Sequence, residues 1–161
     1  MGIKSSKKTS VFKGCLILMR PPNLPTAADD IIAGAAIAGI YAAGWSLPQE
    51  QIADLLLLIL ASVCMYAGGV VLNDVFDLKI DKEERPERPI PSGVVPLKTA
   101  SFLGGGLLAL GTLLAFVCNV YTGIVSVFIA GAIVLYDSTA KHHSFFGPLA
   151  MGTCRGLNLL L

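Results

Sequence analysis

Long apolar runs alternate with short polar segments along this chain of 161 residues. A transmembrane helix needs about 20 mostly apolar residues, and four runs have or approach that length. They are residues 27–45, 51–76, 97–117 and 123–137. A fifth apolar run begins near Phe145 and is still apolar at Leu161. The pattern predicts an all-α integral membrane protein, a multi-span helical bundle with about four complete transmembrane helices and a truncated fifth.

The first 25 residues differ from the remainder of the chain. Residues 1–10 are polar, and 11–19 form an apolar stretch too short to span a bilayer, so we expect an interfacial helix there. The proline-rich segment that follows cannot continue that helix. We therefore divide the chain into a basic N-terminus with an interfacial helix, residues 1–25, and a membrane domain, residues 26–161.

Local signals predict several helix ends and turns. Thr26, with Asp29 three residues later, resembles an N-cap. Asp29 and Asp30 would complement the helix dipole, and a role in substrate binding is the alternative. Four prolines predict a loop over 82–97, and 119–122 is predicted to be a tight turn. Glycines in the third span are expected to permit close helix contacts; they are Gly104, Gly105, Gly106 and Gly111.

Composition and charge support a membrane protein and indicate its orientation. Hydrophobic residues make up 54% of the chain and charged residues 14%, against about 25% charged residues in soluble proteins. The net charge of +1 gives no indication of a nucleic-acid partner. Lys and Arg are concentrated in the N-terminus, the 76–98 segment and the 138–144 loop. The positive-inside rule makes that side of the membrane cytoplasmic.

An acidic motif, NDVFDLKID, ends the second predicted span. At roughly 100° per residue, Asp74, Asp77 and Asp81 share one helix face, with Asn73 at its edge. Mg²⁺ binds through one or two carboxylates together with substrate phosphates, so the motif predicts a Mg²⁺–diphosphate site. The alternative is a solvated acidic helix end that pairs with nearby Lys and Arg side chains.

Basic side chains accompany the motif. Arg85 and Arg88 lie in the loop RPERPIPSG, and arginine recognises phosphate bidentately; anchoring at the cytoplasmic surface is the alternative reading. Lys141 lies four residues after Asp137, so an ordinary helix-end ion pair competes with a role in diphosphate binding. Arg155 is the one basic residue inside an apolar span and shares a helix face with Asn158, which predicts that both line a cavity.

The motif NDxxDxxxD followed by RPxRPIxSG resembles the first motif of the UbiA family of intramembrane prenyltransferases. The resemblance extends upstream to RPPN at 20–23 and downstream to RGLN at 155–158, and it covers the N-terminal half of the family's bundle. It implies Mg²⁺-dependent transfer of a prenyl group from a prenyl diphosphate to an aromatic or other lipophilic acceptor within the lipid bilayer.

The same resemblance implies roles for individual side chains. The metal ligands would be Asn73, Asp74, Asp77 and Asp81. The diphosphate would be bound by Asn73, Arg85, Arg88 and Lys141. The catalytic residues would be Asp74, Asp77 and Arg88, with Arg155 and Asn158 in the cavity wall.

One part of the family pattern is absent from this sequence. Family members carry a second aspartate-rich motif, whereas the only acidic residue after Glu87 is Asp137. The apolar end at Leu161 suggests a fragment, and a homodimer that supplies the missing cluster is an alternative. A different class of function also stays open: a non-catalytic UbiA-like membrane protein that binds or transports an isoprenoid or another lipid.

Overall fold

A computed structural model describes residues 10–39, 48–139, 141 and 145–161. This part of the chain is helical and contains no strand. Its α-helices are α1 (Val11–Leu18), α2 (Pro25–Ile37), α3 (Gln49–Phe76), α4 (Leu78–Glu84), α5 (Leu97–Cys118), α6 (Val120–Ser138) and α7 (Phe146–Leu160), and a short 3₁₀ helix, Pro21–Asn23, precedes α2.

Three of the described helices, α3, α5 and α6, are long and apolar enough to cross a membrane. Large apolar side chains such as Phe102 and Phe128 point outward from them, as expected for a surface in contact with lipid. The predicted all-α membrane bundle is confirmed. The number of spans stays a prediction, because α2 and α7 are shorter and the end of the first predicted span lies outside the described residues.

Helix α3 packs most closely against α5, through glycines. A Cβ atom at Gly68 would lie 2.8 Å from the carbonyl oxygen of Gly104, and one at Gly111 would lie 2.7 Å from that of Ala61. Gly105 and Gly106 have no neighbour within 4 Å of such an atom. Two of the four predicted glycines therefore allow the backbones to approach, as small residues do in membrane helix pairs.

A small apolar core holds the loop after α4 against the end of α3. Ile90 and Val95 of the loop are buried with Val71 of α3, Leu18 of α1 and Ala100 of α5. A helix, α1, is present where the interfacial helix was predicted, and it packs on this loop; its location at the membrane surface stays a prediction. The loop is fixed in place beside the junction of α3 and α4, residues 73–81, which we call the motif end.

Three local predictions were wrong. Thr26 is not an N-cap: α2 already begins at Pro25, because proline suits the first helical position. The predicted 82–97 loop is shorter, since α4 continues to Glu84. The predicted turn at 119–122 is reduced to Asn119, whose side chain accepts a hydrogen bond from the Tyr121 N–H and caps α6.

Candidate functional site

The acidic motif lies where α3 passes into α4. The Asp77 N–H donates to the Asn73 carbonyl (2.9 Å) and the Asp81 N–H to the Asp77 carbonyl (2.8 Å). The helical hydrogen-bond pattern therefore continues through the junction, and the acidic side chains keep close to their helical spacing. Asp74 and Asp81 are buried, at 5% and 2% exposure. Buried carboxylates need partners, and the structure supplies basic ones.

Arg88 bridges two of these carboxylates. Its Nη1 lies 2.7 Å from Asp81 Oδ2 and 3.2 Å from Asp74 Oδ1. Burial alone would lower the pKa of Arg88, but its hydrogen bond to Asp81 and the charges of Asp74 and Asp81 raise that pKa above its ordinary value. The guanidinium therefore keeps its charge. Arg85 lies at the edge of this group, more than half exposed and 4.0 Å from Asp81.

Arg20 is a partner that the sequence analysis did not assign to the site. Its Nη2 donates to Asp74 Oδ1 at 2.8 Å, and its backbone is left-handed, with φ of 49°, which is uncommon outside glycine. The two residues are 54 positions apart, so local spacing could not pair them. The only sequence signal was the RPPN segment that belongs to the family resemblance.

Lys141 binds the other half of the motif. Its Nζ lies 2.6 Å from Asp77 Oδ1 and 3.1 Å from Asn73 Oδ1. The alternative pairing with Asp137 is not formed, because α6 ends at Ser138 and Lys141 is no longer one helical turn away. The acidic face is therefore divided: Arg88 holds Asp74 and Asp81, and Lys141 holds Asn73 and Asp77.

The sequence analysis considered Asp137 only as a helix-end partner of Lys141, a pair that is not formed. Asp137 is buried, and its Oδ2 has no hydrogen-bond partner in the described part of the chain. The charges of Lys141, Asp77 and Asp74 are close enough to act on it. A buried oxygen without a partner is costly, so Asp137 adds unused acceptor capacity beside the motif.

A cavity of about 340 Å³ opens between α2, α3, α6 and α7. Asn73 and Asp137 line it near the motif end. Arg155 and Asn158 of α7 and Asp30 of α2 line it further from the motif end. Apolar side chains of α3 and α6 complete its wall. Arg155 Nη2 donates to Asp30 Oδ1 at 2.8 Å. The two predicted cavity residues therefore face the same space as Asn73.

The donor atoms at the motif end suit a hard cation. Asn73 Oδ1 and Asp77 Oδ1 both approach the Lys141 ammonium, so the two oxygens converge on one positively charged point. Oxygen donors of this kind are those that Mg²⁺ prefers. In the described residues, no three His, Cys, Asp or Glu side chains form a group that could hold a metal. The carboxylates are instead paired with Arg and Lys.

Comparison with known proteins gives consistent results. A model of the UbiA prenyltransferase family matches residues 31–161. The digeranylgeranylglyceryl phosphate synthase of Methanosarcina mazei is 38% identical over 146 residues, which are 88% of this chain and 50% of that protein. The same enzyme of Methanococcoides burtonii is 34% identical over 150 residues, which are 92% of this chain and 53% of that protein.

A solved structure agrees with these sequence matches. It is described as giving structural and mechanistic insights into the biosynthesis of digeranylgeranylglyceryl phosphate synthase in membranes. Its TM-score is 0.82 at 31% identity, and the match covers 93% of this chain and 51% of that one. The chain thus spans about half the length of the proteins it matches.

Proposed function

The chain belongs to the UbiA prenyltransferase family, and from this premise we propose that the protein transfers a prenyl group from a prenyl diphosphate to a lipophilic acceptor, with Mg²⁺ bound at the motif end. The named relatives make digeranylgeranylglyceryl phosphate. A prenylated glyceryl phosphate is therefore the first acceptor to test, and aromatic acceptors are the second.

One observation carries this proposal. Basic side chains from three separate segments converge on the acidic motif at one end of the cavity. Arg20 precedes α2, Arg88 lies in the loop after α4, and Lys141 follows α6; each pairs with an aspartate of the motif. Ordinary surface ion pairs contribute little to stability, so stability alone does not explain why basic groups from distant parts of the chain meet at one point. Their convergence supports a binding site.

Different residues of this chain would bind the metal ion and the diphosphate. Asn73 and Asp77, together with Asp74 and Asp81, would hold Mg²⁺. The bound ion would supply positive charge that stabilises the diphosphate as its bond to the prenyl carbon breaks. Arg88 and Lys141, once released from their carboxylates, would donate hydrogen bonds to diphosphate oxygens.

The cavity would hold the acceptor beside the activated prenyl group. The prenyl C–O bond would break with its electron pair on the diphosphate, a new bond would form between the prenyl carbon and the nucleophilic atom of the acceptor, and the proton lost by the acceptor would pass to the released diphosphate. Lys and Arg are concentrated on the motif side, and on the positive-inside rule we propose that the N-terminus and the motif loop face the cytoplasm.

Binding of a radiolabelled prenyl diphosphate, with and without Mg²⁺, tests the proposal. The wild-type protein should bind it only with Mg²⁺. Asp77→Ala removes a proposed metal ligand and should weaken this binding by about a hundredfold, since charge-assisted contacts contribute about 1.5–3 kcal/mol each. Turnover with a prenylated glyceryl phosphate then tests transfer.

Asp29→Ala is the matched control for this experiment. Asp29 is an exposed aspartate of α2 that does not line the cavity, so the variant should bind like the wild type. Mg²⁺-dependent binding that survives in Asp77→Ala would contradict the proposed site. Binding without any turnover would instead favour a lipid-binding protein.

A further inference from the structure

Asp137 lies beside the motif end but does not belong to the motif. It is the next-to-last residue of α6, which ends at Ser138, and it lines the cavity together with Asn73. The residue is 3% exposed, and its Oδ2 has no hydrogen-bond partner within the described part of the chain. A buried carboxylate oxygen without a partner costs free energy, so stability does not explain the presence of this side chain.

The position of Asp137 within its helix is also unfavourable for a carboxylate. The C-terminal end of a helix carries a partial negative charge, which favours basic side chains there and disfavours acidic ones. Asp137 lies in the last turn of α6. Ionisable residues of membrane helices usually face a cavity or pair with another charged group. Burial, the missing partner and the adverse helix dipole together indicate that this carboxylate serves a ligand.

The ammonium group of Lys141 shows where a positive charge is favoured at this end of the cavity. Its Nζ lies 2.6 Å from Asp77 Oδ1 and 3.1 Å from Asn73 Oδ1, and its charge also attracts Asp137. Asn73 and Asp77 belong to the motif, whereas Asp137 comes from α6. Carboxylate and amide oxygens drawn to one positive charge are the ligands that hard cations such as Mg²⁺ and Mn²⁺ prefer.

The other charged groups of the cavity wall already have partners. Near the motif end, Arg20 donates to Asp74 at 2.8 Å. Further along the cavity, Arg155 donates to Asp30 at 2.8 Å. This second pair belongs to a hydrogen-bonded group that we call the midmembrane cluster: Asp30, Ser62, Arg155 and Asn158. Asp137 is thus the carboxylate of the cavity wall that forms no ion pair within the described residues.

We propose that Asp137 is a further ligand of the divalent cation at the motif end, beside Asn73 and Asp77. The inference rests on the proposed function for the presence of that cation. Asp137 would bind the ion through an oxygen that has no other partner, so no basic side chain would have to leave it first. Two carboxylates and one amide are a donor set with which Mg²⁺ can bind substrate phosphates. A ligand on α6 would hold the ion between that helix and α3.

Binding of Mn²⁺, a paramagnetic substitute for Mg²⁺, tests this inference. The affinity is measured by electron paramagnetic resonance on the protein in phosphatidylcholine nanodiscs, without prenyl diphosphate. Asp137→Asn keeps the size of the side chain and removes its charge. We expect this variant to bind Mn²⁺ about tenfold more weakly than the wild type, because a charged ligand is lost. Unchanged Mn²⁺ binding would overturn the inference.

Asp30→Asn is the matched control. It removes an equal charge from the wall of the same cavity, but Asp30 belongs to the midmembrane cluster and is paired with Arg155. Ser62 of that cluster lies roughly 16 Å along α3 from Asn73, at about 1.5 Å per residue. The control should therefore bind Mn²⁺ like the wild type. Equal losses in the two variants would mean that the total charge of the cavity sets the affinity, and the inference would fail.

A change of metal preference provides a second test, because a purely electrostatic role does not predict it. Thiolate ligands select Zn²⁺, whereas carboxylates suit Mn²⁺ and Mg²⁺. Asp137→Cys should raise the ratio of Zn²⁺ to Mn²⁺ affinity about tenfold, measured by competition between the two ions. Asp30→Cys should leave the ratio unchanged. Both variants are made with Cys154→Ala and compared with it, since Cys154 is a natural thiol of the same cavity. No rise in Asp137→Cys, or an equal rise in both variants, would contradict a bond between residue 137 and the ion.

Thermal unfolding without metal reports whether each variant is folded. Asp137→Asn removes a buried charge that has no ion pair, so its unfolding midpoint should equal or exceed that of the wild type. A lower midpoint together with wild-type Mn²⁺ binding would assign Asp137 to the stability of the fold and overturn the inference.

Mg²⁺-dependent binding of prenyl diphosphate, measured on the same samples, separates this inference from the proposed function. If the wild type binds prenyl diphosphate with Mg²⁺ but Asp137→Asn binds Mn²⁺ normally, the inference alone is wrong. If Mn²⁺ binding depends on Asp137 but the wild type never binds prenyl diphosphate, the proposed function alone is wrong.

Discussion

The motif end and the midmembrane cluster are both built from ion pairs, but their basic groups have different origins. At the motif end, Arg88 and Lys141 lie in connections between helices and pair with aspartates of α3 and α4. In the midmembrane cluster, Arg155 and Asp30 both lie within helices, α7 and α2. The backbone of a helix cannot move far without breaking its hydrogen bonds. The backbone of a connection can shift, so its side chains exchange partners more readily.

This difference suggests why one ion-pair chemistry appears twice along a single cavity. Under the proposed function, Arg88 and Lys141 at the motif end would leave a carboxylate for a diphosphate while a metal ion takes their place. Arg155 and Asp30, by contrast, lie on packed helices, so we expect their pair to stay formed when a ligand enters the cavity.

Replacement of Arg88 by methionine should have the largest effect on stability. The change leaves Asp74 and Asp81, both buried, without their shared partner, and loss of one member of a buried pair costs about 3 kcal/mol. The measurement is the free energy of unfolding in detergent. A loss this large would show that the motif-end pairs are structural before any substrate binds.

Arg85→Met is the control for that variant. Arg85 lies in the same loop, is exposed and stands 4.0 Å from Asp81, so its loss should change the free energy of unfolding by less than about 1 kcal/mol. Equal losses in the two variants would mean that Arg88 contributes no more than a surface pair, and the division between Arg88 and Arg85 would fail.

Replacement of Lys141 by methionine should change two affinities in opposite directions. Without the ammonium, Asn73 and Asp77 are free for a metal, so Mn²⁺, used as a spectroscopic probe, should bind about tenfold more tightly. Prenyl diphosphate should bind about tenfold more weakly, since a charge-assisted donor is lost. Electron paramagnetic resonance of Mn²⁺ and radiolabel binding measure the two effects.

Lys98→Met, which removes an exposed lysine of α5, should alter neither affinity. Arg155→Gln should also leave Mn²⁺ binding unchanged, because the midmembrane cluster is separate from the proposed metal ligands. If both affinities fell in Lys141→Met, Lys141 would be supporting the site rather than competing with the metal, and the proposed exchange of partners would be wrong.

Sequence patterns predicted the features that depend on local spacing. The apolar runs predicted the long helices, and the i, i+3, i+7 spacing predicted three aspartates on one face at the junction of α3 and α4. The pairing of those aspartates depends on contacts between distant segments. Arg20 meets Asp74 across 54 positions and Arg155 meets Asp30 across 125. Such contacts follow from how the helices pack, which the periodicity of one helix does not specify.

The helix termini show the same limit on a smaller scale. The capping pattern at Thr26 was overridden because Pro25 already occupies the first position of α2. Lys141 had the spacing of a helix-end pair with Asp137, but α6 ends before it and Asp77 binds it instead. In both cases another residue took the role that local spacing had assigned. Pro25 occupies the first position of α2, and Asp77 pairs with Lys141.

Ser62→Ala should have the smallest effect, and it separates the two regions most cleanly. The Ser62 hydroxyl lies 2.8 Å from Asn158 Oδ1 and 3.0 Å from the Ala27 carbonyl oxygen, and the Asn158 amide donates to Asp30 Oδ2 at 3.2 Å. Loss of one neutral hydrogen bond costs about 1 kcal/mol of stability. Because Asp30 then loses its alignment with Arg155, binding of a prenylated glyceryl phosphate in the cavity should weaken about threefold, while Mg²⁺-dependent binding of prenyl diphosphate stays the same.

Ser126→Ala is the matched control, since Ser126 is also buried but its hydroxyl donates to the Gly123 carbonyl of its own helix. Both variants should lose similar stability, and only Ser62→Ala should affect binding of the prenylated glyceryl phosphate. Equal lipid binding in the two variants would mean that Asp30 needs no support from Ser62. A parallel loss of prenyl diphosphate binding in Ser62→Ala would mean that the two regions act as one site, because a change about 16 Å along α3 would have reached the motif end.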